Sequence, residues 1–244
     1  MPSSWFLLPP SEGKLPGGRR GSTPDRFATA LGDERKVVIE ALAHVLGRGE
    51  GAEQGKVLRT RGELLELALA ATARIIDGDA PTLPAWQRYS GVVWEHLGPA
   101  TLRPAERRRI LVPSALYGLT TAEDRIAEYR LGMGVSLPGV GNLAHFWRTP
   151  ITEVIRSLRR SDVLIDLLPE EHRRAIAWER VGRVVQVTFR SADGGRAVGH
   201  FAKAVKGEFA RYLIDHGTSN ATDFRWDGWS VLPTPSGFEV RAGL

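Results

Sequence analysis

The sequence predicts a mixed α/β (α+β) fold, with a twisted mixed sheet and flanking helices in one compact domain spanning residues 1–244. Three observations lead there. Short apolar runs ended by Pro or Gly read as buried strands, longer stretches with apolar residues at helical spacing separate them, and a turn-rich segment near the C-terminus joins two more strand-like runs.

Ser4–Leu8 is the first strand, because it is almost wholly apolar and stops at Pro9-Pro10, where two backbone donors are lost. Residues 9–32 are rich in Gly, Pro and Arg and read as a loop, either mobile or organised by a ligand. Asp33–Leu46 and Arg61–Ile76 carry helical periodicity and read as surface helices, the second stopped by Asp77-Gly-Asp-Ala-Pro81. Pro84–Leu97 gathers Trp86, Tyr89 and Trp94, which suit core anchors or the wall of a cleft. Arg107–Pro113 reads as a charged helix end running into a strand, with Ser114-Ala-Leu-Tyr-Gly118 at its exit, where α/β proteins often place a site.

Ile151–Arg160 reads as a helix whose Arg159 and Arg160 suit the C-terminal dipole. Asp162–Leu168 is another buried strand, with a helix opening at Pro169-Glu-Glu-His172. Val184–Phe189 and Ala197–Phe201 flank Ser191-Ala-Asp-Gly-Gly195 and predict a hairpin. A final helix covers Ala202–His216, and the aromatic tail 217–244 supplies an edge strand or an irregular cover.

Composition narrows function by exclusion. With no Cys, a thiol nucleophile, an iron–sulfur cluster and a disulfide framework are ruled out. The net charge of +5 is modest, so charge alone is weak support for nucleic acid. The opening apolar run is far too short for a membrane span and lacks a basic n-region, which makes the cytoplasm the expected compartment. The six His show no metal-ligand spacing, so no metal or other cofactor is expected.

Three clusters carry possible chemistry. In Pro10-Ser-Glu-Gly-Lys14, Ser11 can donate a hydrogen bond, Glu12 can orient a base or cation, and Lys14 can meet a phosphate; the alternative is a structural turn. Around Tyr117, the residues Asp124, Arg125, Tyr129 and Arg130 offer a stacking surface and two guanidiniums for an anion, provided they converge. On the last helix, Lys203, Lys206 and Gly207 share a face, and the glycine there can admit a bulky anion or a second backbone. Leu137-Pro-Gly-Val-Gly141 is similar to the hairpin centre of helix-hairpin-helix DNA-binding motifs, or is a plain glycine turn.

Ser114-Ala-Leu-Tyr-Gly-Leu119, Asp124 and Tyr129-Arg-Leu-Gly-Met-Gly134 resemble the signature of the YaaA family of bacterial peroxide-stress proteins, in which a Glu stands at the place of Gly132. Pro10-Ser-Glu-Gly-Lys14, Tyr89-Ser-Gly-Val-Val93, Phe146-Trp147 and Ala202-Lys-Ala-Val-Lys-Gly207 keep the family order. The resemblance implies a mixed α/β fold with a basic cleft, DNA binding, and a role in limiting iron-driven oxidative damage. It carries Lys14, Tyr117, Asp124, Tyr129, Arg130, Lys203, Lys206 and Gly207 as the matching positions.

Two readings of function follow. The first is a DNA-binding protein without strong sequence preference, on double-stranded or structured DNA, in which Lys14, Arg125, Arg130, Lys203 and Lys206 meet phosphates while Tyr117 or Tyr129 packs the cleft or stacks on a base. The second is an enzyme on a phosphorylated or nucleoside-like small molecule, with Ser11, Glu12, Asp124 and Tyr129 as its polar chemistry. The second demands an enclosed pocket.

Overall fold

The computed structural model describes residues 4–21, 25–48, 51–158 and 162–243. The centre is an eight-stranded sheet in the order β10-β11-β12-β9-β8-β1-β3-β4. Strands β1 (Ser4–Leu7), β3 (Ile110–Ser114), β8 (Val163–Asp166), β9 (Val184–Arg190) and β12 (Gly237–Ala242) run parallel. Antiparallel strands finish both edges: β4 (Gly118–Thr121) on β3, and β11 (Trp229–Thr234) with β10 (Arg225–Trp226) on β12. Successive residues of β1 and β3 point to opposite faces and both sets are buried, so helices must cover the central sheet on both sides.

The helices fall into two packed groups. In the first, α1 (Ala28–Arg48) touches α2 (Gly51–Leu58), α3 (Glu63–Ile76) and α7 (Leu143–Arg156). Leu31, Val38, Leu42 and Val45 put one face of α1 into the core. Arg35 lies on the same face, paired with Asp25 at 2.5 Å and donating to the carbonyls of Tyr117 and Leu119, which fixes the turn between β3 and β4. In the second group, α5 (Val92–Leu97) lies against α9 (Gly199–His216). A two-stranded antiparallel sheet of β2 (Thr82–Pro84) and β5 (Arg125–Ala127) sets the start of the segment after β2 beside Asp124, whose carbonyl accepts from the Ala85 amide at 2.8 Å.

Several expectations are corrected. The hairpin predicted around Ser191–Gly195 does not form: β9 pairs in parallel with β8 and β12, a single bridge joins Arg190 to Arg196, and Gly199 at φ 85° opens α9. Gly199–Phe201 belong to α9 and no strand forms at Ala197 or Val198, which leaves no second strand there. Helix α7 starts at Leu143, eight residues before the expected Ile151, because Asn142 caps it by accepting from the His145 amide at 3.2 Å. Arg159 and Arg160 lie outside the described residues.

The glycine turn at Leu137–Gly141 joins β6 (Ser136–Leu137) to β7 (Gly141–Asn142), and residues 128–135 before it are not helical, so it is not the centre of a helix-hairpin-helix. The aromatic tail is ordered sheet rather than an irregular cover. The N-terminal loop ends earlier than expected, at the start of α1, and its described part is held in place.

Candidate anion site at the carboxyl ends of the strands

The loop leaving β1 is pinned by the segment that follows β2. Lys14 bridges to Tyr89, the Leu15 amide donates to the Arg88 carbonyl at 2.8 Å, and the Ser90 amide donates to the Gly13 carbonyl at 3.3 Å. Arg88, in α4 (Ala85–Arg88), is fully buried and spreads its guanidinium over the carbonyls of Leu15, Gly17, Pro81 and Ile126. That is a neutral set of acceptors for a charged group, and it makes the loop part of the interior. No sequence signal set this arginine apart from those on the surface.

This scaffold delivers Lys14 into a polar cluster. Its ammonium donates to the Ser11 carbonyl at 2.8 Å and stands over the Tyr129 ring, 4.1 Å from the centroid. The Tyr129 hydroxyl accepts from Ser114 Oγ at 2.8 Å and meets the Tyr89 hydroxyl at 3.2 Å. Ser114 Oγ also accepts from the Tyr117 amide at 3.1 Å, and the Tyr117 hydroxyl accepts from the Ala127 amide at 2.9 Å. Burial holds all three tyrosines protonated, raising Tyr117 to about 12 and pushing Tyr89 and Tyr129 upward. Burial, reinforced by the Arg130 charge, lowers the Lys14 ammonium to about 7.

On the neighbouring strand, the carboxyl end of β8 leads into α8 (Glu170–Arg173). Arg173 closes the strand end by pairing with the buried Asp166 carboxylate, which also accepts from the Leu168 amide at 3.0 Å. His172 has an Nδ1 that is buried and makes no hydrogen bond. Burial, with the charges of Lys206, Arg59 and Lys14 acting in the same direction against Glu171, takes His172 down to about 4, so it is neutral at physiological pH. Lys206 reaches in from α9, donates to the Leu167 carbonyl at 2.7 Å, stands 5.1 Å from the Phe189 ring centroid, and is lowered by burial to about 7.

Two depressions share the α8 turn. A cleft of about 460 Å³ runs between β9 and α9, with Arg173, Arg190, Arg196, Lys203 and Lys206 against Glu170 on its walls. A smaller recess of about 70 Å³ lies between the β1 loop and α8, and Ser11, Glu12, Lys14, Arg130 and His172 are among its lining residues. Among the described residues no carboxylate pairs with Lys14, Arg130, Arg196, Lys203 or Lys206. Lys14, Arg130 and Lys206, half-buried with no carboxylate paired to them at the carboxyl ends of parallel strands, make a place for an anion, and the exposed Arg196 and Lys203 extend it along the cleft. A larger depression of about 1070 Å³, at the amino ends near Trp5, Arg109 and Asp162, touches none of the site residues picked out in the sequence.

The sequence-derived residues therefore divide. Ser11, Glu12, Lys14, Tyr129 and Arg130 meet at the recess, Tyr117 packs edge-to-face on Tyr129 at 5.6 Å, and Lys203 with Lys206 lines the cleft. Asp124 lies elsewhere, accepting from the amides of Thr121 at 2.6 Å and Arg26 at 3.1 Å as a turn cap. Arg125 is spent on the hydroxyl and carbonyl of Thr82. Gly207 does not open the helix face to a ligand: a Cβ there would meet the Val93 carbonyl and approach Leu97 N at 3.0 Å, so the glycine lets α9 close on α5. Arg59 enters the site without having been proposed for it.

A family model described as Peroxide stress protein YaaA matches residues 5–234. The chain belongs to this family. It is 34% identical over 223 residues to a UPF0246 protein of Streptomyces coelicolor, covering 87% of this chain and 84% of the relative. A UPF0246 protein of Corynebacterium efficiens is 35% identical over 220 residues, covering 85% and 84%. Family membership links the chain to peroxide stress. Among the described residues no group of three or more His, Cys, Asp or Glu is placed to hold a metal ion, and no helix is long and apolar enough to cross a membrane.

Proposed function

We propose that this member of the peroxide-stress family binds DNA without strong sequence preference and limits iron-driven oxidative damage by occupying it. The observation that carries this reading is the group of cations without a carboxylate partner among the described residues, Arg196, Lys203 and Lys206, on the walls of the cleft between β9 and α9. Such a group meets phosphates, which every DNA sequence presents alike. Binding of a labelled duplex, followed by fluorescence anisotropy at increasing salt, tests it. The affinity should fall steeply with salt and vary little with sequence, and Lys203→Met should lower the slope of log K against log salt by about 1. A complex indifferent to salt would rule the reading out.

A second reading, an enzyme acting on a phosphorylated or nucleoside-like small molecule, is favoured by one observation. The Lys14 amine sits over a chain of hydroxyls from Tyr89, Tyr129 and Ser114, more polar machinery than phosphate neutralisation needs. Asp124 has no part in that constellation, because its carboxylate is engaged at the turn after β4. Turnover of a nucleotide by the wild-type protein, lost in Tyr129→Phe, would establish it.

A further inference from the structure

The recess beside Lys14 is too small for a base or a sugar. Its volume of about 70 Å³ is the room of roughly two water molecules. Four elements meet around it: the loop after β1, the end of α2 at Leu58 and Arg59, the Tyr129–Met133 segment after β5, and α8. All but the end of α2 bring a polar atom with capacity to spare. Lys14 Nζ uses one of its three hydrogens on Ser11, while Arg130 Nε and His172 Nδ1 are buried and make no hydrogen bond at all.

With Lys14 protonated, as it is on the acid side of about 7, the charge balance of the walls leaves one positive charge over. Lys14, Arg59 and Arg130 face Glu12 and Glu171; the Glu171 carboxylate is already held by Arg59 at 2.8 Å and by the Gly134 amide at 2.7 Å. His172 is neutral and adds a donor without adding charge. Three donors arriving from three separate elements suit a tetrahedral oxyanion better than a planar carboxylate, whose two oxygens ask for donors in one plane.

We propose that this recess receives the phosphate of a monoester, and that it discriminates a terminal phosphate from the phosphodiesters inside a nucleic-acid chain. A diester carries a substituent on each side and needs room for both beside its phosphate, in a space of about two waters. A monoester enters on one tether. Glu170 and Arg173 line the cleft while Glu171 and His172 line the recess, so a strand lying in the cleft has only to cross one turn of α8 to present its end. This deepens the DNA reading and rests on it for a nucleic-acid source; a free phosphorylated metabolite would use the same chemistry.

The test compares duplexes with a short overhang, alike except for a 5′-phosphate or a 5′-hydroxyl, binding to the full chain at one salt concentration. The phosphorylated end should bind about tenfold more tightly, and Lys14→Met and Arg130→Met should each remove most of that preference. Circular dichroism confirms that the variants are folded, and Lys203→Met, outside the recess, should keep the preference. In parallel, a nucleoside 5′-monophosphate should raise the melting temperature of the wild type but not of Lys14→Met, and the bare nucleoside should do nothing.

Stabilisation by the monophosphate with no preference between the two duplexes supports the recess with a free monoester as its source. The same stabilisation with no DNA bound at any salt keeps the recess and removes the DNA reading. Equal duplex binding with no monophosphate effect, or an end preference that survives both recess variants, overturns the proposal and leaves the DNA reading standing. Neither DNA binding nor stabilisation overturns both.

Discussion

The guanidinium of Arg59 occupies the space a side chain on Gly132 would need. A Cβ on Gly132 would lie 2.7 Å from Nη1 and 2.8 Å from Cζ, and one on Gly134 would lie 2.8 Å from both Arg59 Nη2 and Glu171 Oε1. Arg59 holds this place from a left-handed backbone at φ 49°, just past the end of α2. The two glycines and the arginine are therefore one fitted unit at the recess wall. Gly132→Ala should push Arg59 outward and weaken its pair with Glu171. That pair is half exposed, so the stability change should stay within about 1 kcal/mol, or roughly 4 °C in melting temperature. Monophosphate binding should fall by more than that small change in stability suggests, as calorimetric titration would show.

Gly207→Ala should behave in the opposite way. Its new Cβ meets backbone rather than a flexible tip, with His96 Cβ at 2.8 Å and Leu97 N at 3.0 Å, so α9 must back away from α5. A loss of about 1–3 kcal/mol is expected, read from the urea midpoint. Phosphate affinity of the folded fraction should be unchanged, which separates a packing role from the binding role that its place beside Lys206 suggests.

Arg88→Met should free the N-terminal loop. Four backbone carbonyls lose their donor together, so a loss of about 2–4 kcal/mol is expected. Limited proteolysis should then cut first within residues 11–21. With the loop goes the position of Lys14, and monophosphate stabilisation should vanish even where the protein remains folded.

Stability should rise with pH in two windows. The native pKa of His172, about 4, lies below its unfolded value near 6.5, so the unfolded chain binds the extra proton between those values and stability falls as pH drops through that range. For Lys14 and Lys206, lowered to about 7, the unfolded chain holds protons that the native state has released between about 7 and 10.4, and stability climbs with pH there. Melting temperature across a pH series measures both, and Lys14→Met should flatten the upper window. Anion binding runs the other way: inorganic phosphate should protect more at pH 6.5 than at pH 9, because the ammoniums are charged only on the acid side.

Much of the centre of this fold was legible because parallel strands buried on both faces are written as continuous apolar runs, as in β1, β3 and β8. The recess was half legible: Lys14, Tyr129 and Arg130 stand in motifs with strand-exit grammar. What was hidden depended on distant partners. The Ser191–Gly195 turn is a real turn, yet β9 finds its neighbour in β12 almost fifty residues on, and no local pattern encodes that. Asp124 and Arg125 sit among site residues in sequence, but the turn after β4 and the edge of β2 consume them. Arg88 and Arg59 look like any surface arginine until the carbonyls of one and the glycines facing the other are known.

The place of β1 in the sheet also sets a timetable for synthesis. It leaves the ribosome before either of its two partners, which begin at Ile110 and Val163. Until the second of these emerges, one flank of Phe6 and Leu7 has no strand to pair with, and the Lys14 loop has only one side of its site. A nascent chain released early would carry an open, sticky edge and no phosphate recess. Anion binding is thus a signal that this protein can give only once its translation has passed α8.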